Sequence, residues 1–161
     1  MIKNAIISTC KKYRYSLTRI WDDTKPTVMF IMLNPSTADA TDDDPTIRRC
    51  IGFAKSWDYG GIVVCNLFAY RSTNPLELLT ASDPAGDKNL YYLDYYAVRA
   101  DKIICAWGNE AILNRIKNQV KIVEFIFRRK AKIHYLELSK NGFPKHPLYL
   151  KKTLVPVKIY G

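Results

Sequence analysis

The sequence predicts an α/β protein: one domain over residues 1–161, with a central four-stranded, mainly parallel sheet between two layers of helix. Three observations predict it. Thr27–Leu33, Gly61–Asn66, Lys102–Trp107 and Lys132–Leu138 are apolar, β-branched runs of strand length, the pattern of strands buried on both faces. Helical patterns separate them, and strand–helix alternation implies right-handed crossovers with helices on both sides of the sheet. Turn residues close the first three runs: Asn34-Pro35, Asn66 and Gly108.

Ala5–Ser8 and Tyr13–Ile20 read as short extended pieces. In the second, Tyr13, Tyr15 and Leu17 alternate with Arg14, Ser16 and Thr18. A polar turn, Trp21–Pro26, leads into the first buried strand, which must stop at Pro35 because proline cannot donate to a sheet ladder. Asp44 and Pro45 form a helix start, with Asp as N-cap and Pro in the first turn. The helix Thr46–Trp57 places Ile47, Cys50, Ile51, Ala54 and Trp57 on one face, with Arg48, Arg49 and Lys55 outside. A long loop, Phe68–Gly86, precedes a helix over Asp87–Ala100. Leu90, Leu93, Ala97 and Ala100 face inward there, and Tyr91, Tyr92, Tyr95 and Tyr96 widen the core face. Helical sequence resumes near Asn109 and runs towards Arg129. After the fourth strand, a turn-rich loop leads to His146-Pro147-Leu148-Tyr149-Leu150 and a tail of alternating apolar residues.

The totals narrow the class. The 161 residues are 48% hydrophobic, enough for a sizeable core. No apolar run reaches the roughly 18 residues of a membrane span. The N-terminal segment turns basic too soon for a signal peptide. Cys10, Cys50, Cys65 and Cys105 form no C-x-x-C pair, and two of them lie in apolar runs. They read as free thiols of a reducing compartment rather than as disulfides or cluster ligands, which predicts a cytoplasmic protein. Lysine and arginine number 25 against 15 acidic residues, a formal charge of +10. That excess favours a polyanionic partner, most simply nucleic acid.

Polar residues gather where strands end. Open α/β sheets bind ligands at the carboxyl ends of their strands, where Asn34, Asn66, Trp107-Gly108 and the His146 loop are expected to converge. The plainer reading gives Asn34 and Ser36 to turn hydrogen bonds, and His146 to a backbone contact. His134, in mid-strand, reads as packed or solvated. Asp42-Asp43-Asp44 could hold Mg²⁺, but Asp44 sits as a helix cap and its neighbours complement the same helix end, so no metal is expected. Ser36 has no acid–base partner nearby in sequence, and no glycine-rich phosphate loop is present. Lys11, Lys12, Arg14, Arg71, Lys140, Lys145, Lys151 and Lys152 flank the predicted loops, interleaved with Tyr13, Tyr70, Phe143 and Tyr149. That is the composition of a groove for single-stranded nucleic acid; a solvated basic surface is its plain alternative.

Four segments in this order, LNPSTAD, NLFAYR, CAWGNEA and HPLYL, resemble the family called domain of unknown function 1643, over about Tyr13 to Leu150. More distantly, they are similar to the uracil-DNA glycosylase superfamily. The resemblance implies that fold, with Asn34-Pro35 at the water-holding motif and Asn66 reading the base edge. It also sets Trp107-Gly108 before a helix and His146-Pro147 where a histidine reaches the base carbonyl. Pro35, Ser36, Asn66, Phe68 and Trp107 would then line a base pocket, with Phe68 or Tyr70 able to stack. Arg71, Lys140, Lys145, Tyr149, Lys151 and Lys152 would hold DNA.

Departures from the glycosylase pattern shape the expected activity. Met32 stands where those enzymes place a glycine two residues before the motif Asn, which should crowd the base. Ser36 follows the motif proline in place of Gly or Tyr. Leu148-Tyr149-Leu150 replaces the small polar residues before the wedge. An amide can orient water but is no general base at neutral pH. The expectation is a single-strand-preferring DNA-binding protein with little or no base excision, without a cofactor. Asn34 and His146 would be catalytic remnants, and a DNA-mimicking glycosylase inhibitor could dock on the same face. An active glycosylase for uracil or a modified base, or an enzyme of free bases or nucleotides, are the alternatives.

Overall fold

The computed structural model describes residues 1–116, 124–125 and 128–159. The expected helical stretch beyond Ile116 therefore falls partly on 117–123 and 126–127, outside the described residues. The strands are β1 (Ile2–Ile7), β2 (Arg14–Ile20), β3 (Thr27–Met32), β4 (Gly61–Asn66), β5 (Lys102–Cys105), β6 (Ile133–Tyr135) and β7 (Val157–Lys158). The helices are α1 (Pro45–Ser56), α2 (Asn89–Arg99) and α3 (Glu110–Arg115).

Among the described residues one sheet takes all seven strands, in the order β1-β2-β4-β3-β5-β6-β7. The four expected strands form its parallel centre, since β3 pairs parallel with both β4 and β5, and β5 with β6. The expected count of four is corrected to seven: β1, β2 and β7 extend the sheet through antiparallel pairings. The reason lies in β2. Its alternation of Tyr and Arg suggests a half-solvated piece, yet Arg14, Tyr15, Ser16 and Leu17 are all buried.

Two apolar layers flank the centre. On one face, Val28, Phe30, Ile62, Val64 and Ile104 pack with Ile47, Cys50, Phe53 and Ala54 of α1. On the other, Met29, Ile31, Val63 and Ile103 pack with Leu93 and Ala97 of α2 and with Ile112 and Leu113 of α3. The chain leaves β3 towards β4 over one face and returns past β3 to β5 over the other. Connections thus diverge between β3 and β5, the switch point at which such sheets form a crevice.

α1 begins as the sequence predicts. Asp44 is the N-cap, and its carboxylate accepts from the Ile47 N–H at 2.9 Å. Phe53, which the expected face omitted, is among its buried residues, while Ile51 and Trp57 are half-buried. The tyrosines of α2 do not all serve the core. Tyr91 and Tyr95 are exposed, supported by ring contacts with Tyr92 and Tyr96 and by Arg99, which lies 3.6 Å from the Tyr95 ring centre. Among the described residues, no helix is long and apolar enough to cross a membrane.

All four cysteines are free thiols; Cys50, Cys65 and Cys105 are buried and Cys10 is exposed. Burial pushes the Cys65 thiol up to about 12 and raises Cys50 and Cys105 as well, whereas hydrogen bonding to Ser8 lowers Cys10. Native protein is therefore expected to take one equivalent of a thiol reagent, at Cys10, and denatured protein four. Mass spectrometry of labelled protein checks this; modification of a second cysteine in folded protein would contradict the packing described.

Candidate functional site

A cavity of about 450 Å³ opens at the carboxyl ends of β3, β4 and β5. That is the size range of small-ligand pockets. Its walls include Asn34, Pro35, Ser36, Asn66, Trp107 and His146, so six of the seven residues expected in the catalytic and base-pocket sets meet here. Phe68, the seventh, does not line it: that ring is 3% exposed and packs in the core on the α2 side. Tyr70 likewise packs against that core, edge-to-face with Tyr13. Met32 and Leu33 form part of the wall without closing the space.

Register and loop contacts set the geometry. Met32 pairs with Asn66 across β3 and β4, which brings the two strand ends level. Beyond them the Leu67 and Phe68 N–H groups donate to the Met32 and Leu33 carbonyls, and Ser72 N–H donates to Pro35. The Asn34 side-chain nitrogen donates to the carbonyls of Pro35, Tyr70 and Ser72, at 3.2, 3.4 and 3.0 Å. The turn role expected of Asn34 is thus filled by its nitrogen. Three carbonyls around one atom fix which end of the amide is the donor, leaving Oδ1 as the acceptor on the cavity wall.

Asn66 differs. It is 1% exposed, and among the described residues neither its amide nitrogen nor its oxygen has a hydrogen-bond partner. A buried unpartnered amide is costly, roughly 1–3 kcal/mol, and calls for an explanation. Asn89 at the start of α2 holds the backbone in place, donating to the Asn66 and Leu67 carbonyls at 2.9 and 3.1 Å. The indole N–H of Trp107, another residue of the cavity wall, is buried and among the described residues unpartnered as well.

Trp107 and His146 meet through a tight turn. Gly108 and Asn109 both adopt left-handed backbone, with φ of 55° and 50°. A Cβ at Gly108 would stand 3.2 Å from the His146 Cβ and 3.3 Å from its backbone N, so glycine lets these loops approach without displacing His146. The His146 ring accepts the Leu148 N–H at Nδ1, which places the proton on Nε2 and makes that atom a donor. The backbone contact and the cavity position thus coexist. Burial lowers the pKa of His146, against a smaller upward pull from Asp44, and the ring is neutral at physiological pH. His134 is packed, as expected, with Nδ1–H donating to the Lys132 carbonyl at 2.6 Å; burial lowers its pKa too.

A histidine with a lowered folded pKa binds fewer protons folded than unfolded. Its contribution to stability is complete above the ordinary pKa of 6.5 and is lost as pH falls below that value. Urea midpoints are therefore expected to drop between about pH 7.5 and pH 5.5, and less in a His134→Gln variant. A midpoint that rises over this interval would contradict neutral buried rings.

Two charged wall residues escaped the sequence reading of the pocket. Arg14 of β2 is 2% exposed and lines the cavity; one guanidinium nitrogen donates to the Ala38 carbonyl at 2.9 Å and its Nε is unpartnered among the described residues. Burial lowers its pKa to about 10, partly offset by Asp44, so it remains a cation. Asp44 lines the cavity as well as capping α1. The rest of the acidic run is structural. Asp43 pairs with Arg19, and among the described residues no cluster of potential metal ligands occurs. No hydrogen bond joins Ser36 to His146 among the described residues.

Of the residues expected to hold DNA, Tyr149 alone lines the cavity among the described residues. Tyr149 is 87% exposed on the rim. Lys145 lies beside it in an adjoining depression but donates to Glu137 at 2.7 Å, an exposed pair of little energetic weight. Lys151 and Lys152 are exposed just after the His146 segment, and Lys140 is exposed on the 139–142 turn. Arg71 lies on the opposite strand-end loop, its guanidinium 3.4 Å from the Lys11 carbonyl.

Comparison with curated proteins and with solved structures returns no match. A family model, described as "Protein of unknown function (DUF1643)", matches residues 14–148. That span runs from the buried Arg14 to Leu148 and contains every wall residue of the cavity except Tyr149. The chain belongs to the DUF1643 family.

Proposed function

We propose that this protein binds single-stranded DNA and seats one unstacked base in the cavity, on a scaffold like that of the uracil-DNA glycosylases. The observation that carries the reading is Asn66, a fully buried amide at a strand end with donor and acceptor both unused. Such a pair complements the N–H and C=O edge of a pyrimidine. The His146 Nε2–H and the Trp107 N–H add donors on the same wall. Tyr149 offers an exposed ring for stacking, and the rim lysines with Arg71 offer phosphate contacts. Three buried free thiols favour a cytoplasmic setting. The basic face also suits an acidic, DNA-mimicking inhibitor protein as a competitor.

Base excision is expected to be slow or absent. Asn34 Oδ1 can orient a water but takes no proton from it. Asp44, a carboxylate on the wall, is committed through one oxygen to its helix cap. The room left beside Met32 favours a second reading, in which a base is released there. A base-release assay on uracil-containing single strands separates the two: robust release, lost in Asn34→Ala or His146→Ala, would establish an enzyme. A thermal-shift screen with nucleotides tests for a free-base or nucleotide enzyme.

The binding reading itself is tested by anisotropy on single- and double-stranded oligonucleotides. Affinity for single strands is expected to be higher and to fall steeply with salt, with the Lys145→Glu/Lys151→Glu/Lys152→Glu variant weaker. Absent or salt-independent binding would refute it.

A further inference from the structure

Beside the cavity, a second groove of about 560 Å³ runs along the outer side of α1. Arg48, Arg49 and Phe53 line it from α1, and Leu148 and Lys152 from the segment around and after His146. Leu148 also lines the site cavity, so the two depressions adjoin there. The helix positions involved recur three and four residues apart, which makes them a single stripe. Gly52 leaves the floor open, since a Cβ there would meet nothing within 4 Å.

The groove is lined by three cations and no carboxylate side chain. Among the described residues none of the three forms an ion pair. The Arg49 guanidinium lies 5.3 Å from the Phe53 ring centre, and its buried Nε has no partner among the described residues. Arg48 is steadied by donating to the Asp43 carbonyl at 2.9 Å. Planar, pre-oriented arginine forks beside a lysine suit phosphate oxygens.

We propose that this groove carries the phosphates flanking the seated base, so that the strand passes from the cavity mouth over Leu148 onto the outer face of α1. This rests on the single-strand reading above and adds a path to it. A strand leaving the mouth along α1 meets cations throughout, whereas the Lys145 side meets a pair already matched by Glu137.

The test uses oligothymidylates of increasing length, titrated by anisotropy at several salt concentrations against wild type, Arg49→Glu and Lys152→Glu. Each charge reversal is expected to lower the slope of log affinity against log salt by about one and to weaken long oligonucleotides roughly tenfold at low salt. Discrimination between a single thymine and an abasic site should survive in both variants, because neither residue lines the cavity. Lys152 is exposed, so its variant keeps the test open should Arg49→Glu fail to fold. Wild-type affinity and slope in both variants, with Lys145→Glu weakened, would overturn the path and leave the single-strand reading standing. Absence of wild-type binding at any salt would overturn both.

Discussion

Replacing Asn66 with leucine is expected to stabilise the folded protein while abolishing base discrimination. Both polar atoms of the Asn66 side chain are buried and unpartnered, and the backbone at that point is held by Asn89, not by the side chain. An apolar group of similar size removes the desolvation penalty of the amide, about 1–3 kcal/mol. A gain of that size would raise the melting temperature by several degrees, at roughly 2–4 °C per kcal/mol for a chain this long. Opposed changes of this kind are the signature of a residue kept for function rather than for folding. Calorimetry and anisotropy on the same variant check both halves. A destabilised Asn66→Leu with unchanged binding would show the amide to be structural.

Arg19→Met is expected to have the largest effect on stability. Arg19 is 0% exposed in β2, and its Nε donates to Asp43 at 2.8 Å. The rest of its guanidinium donates to the carbonyls of Asn4, Thr18 and Asp39. The bonds to Asp43 and Asp39 fasten the loop between Asn34 and α1, whose Pro35, Ser36 and Asp44 line the cavity. Removing one partner of a buried pair costs roughly 3–5 kcal/mol; the low end applies here, because Asp43 keeps partial exposure and a second neighbour in Lys3 at 3.8 Å. The double variant Arg19→Met/Asp43→Leu should recover much of the loss, since no charge is then stranded. Urea unfolding of the single and double variants measures this, and equal stability of wild type and Arg19→Met would contradict it.

The same arginines mark where sequence reasoning stopped. The parallel centre was legible because β3, β4 and β5 are unbroken apolar runs that cannot be half-solvated. Their ends, at Asn34, Asn66 and Trp107-Gly108, were legible for the same reason: a polar or turn residue at the close of such a run has few places to go. β2 was not legible as an inner strand. Arg14, Ser16 and Thr18 give it a polar face in one dimension, and carbonyls of the loop 34–44, which folds across it, accept from both Arg14 and Arg19. Arg14 therefore looked like a rim cation and proved to be a cavity wall. Asp44 was read for its strong local signal, the helix cap, which concealed its second position on the wall. Phe68 followed Asn66 too closely to be placed by eye; it turns to the opposite core, where Leu67 and Leu78 also pack.

Recognition by this protein turns on a base entering the cavity. The direct measurement is the affinity of wild-type protein for an oligonucleotide of abasic sites carrying one central pyrimidine, against the same strand wholly abasic. A seated base making a paired hydrogen-bond contact with Asn66 predicts about tenfold or more tighter binding of the first, by the roughly 1–3 kcal/mol such a contact supplies. The difference should vanish in Asn66→Leu and persist in Lys152→Glu. Equal affinity of wild-type protein for the two strands would contradict the account.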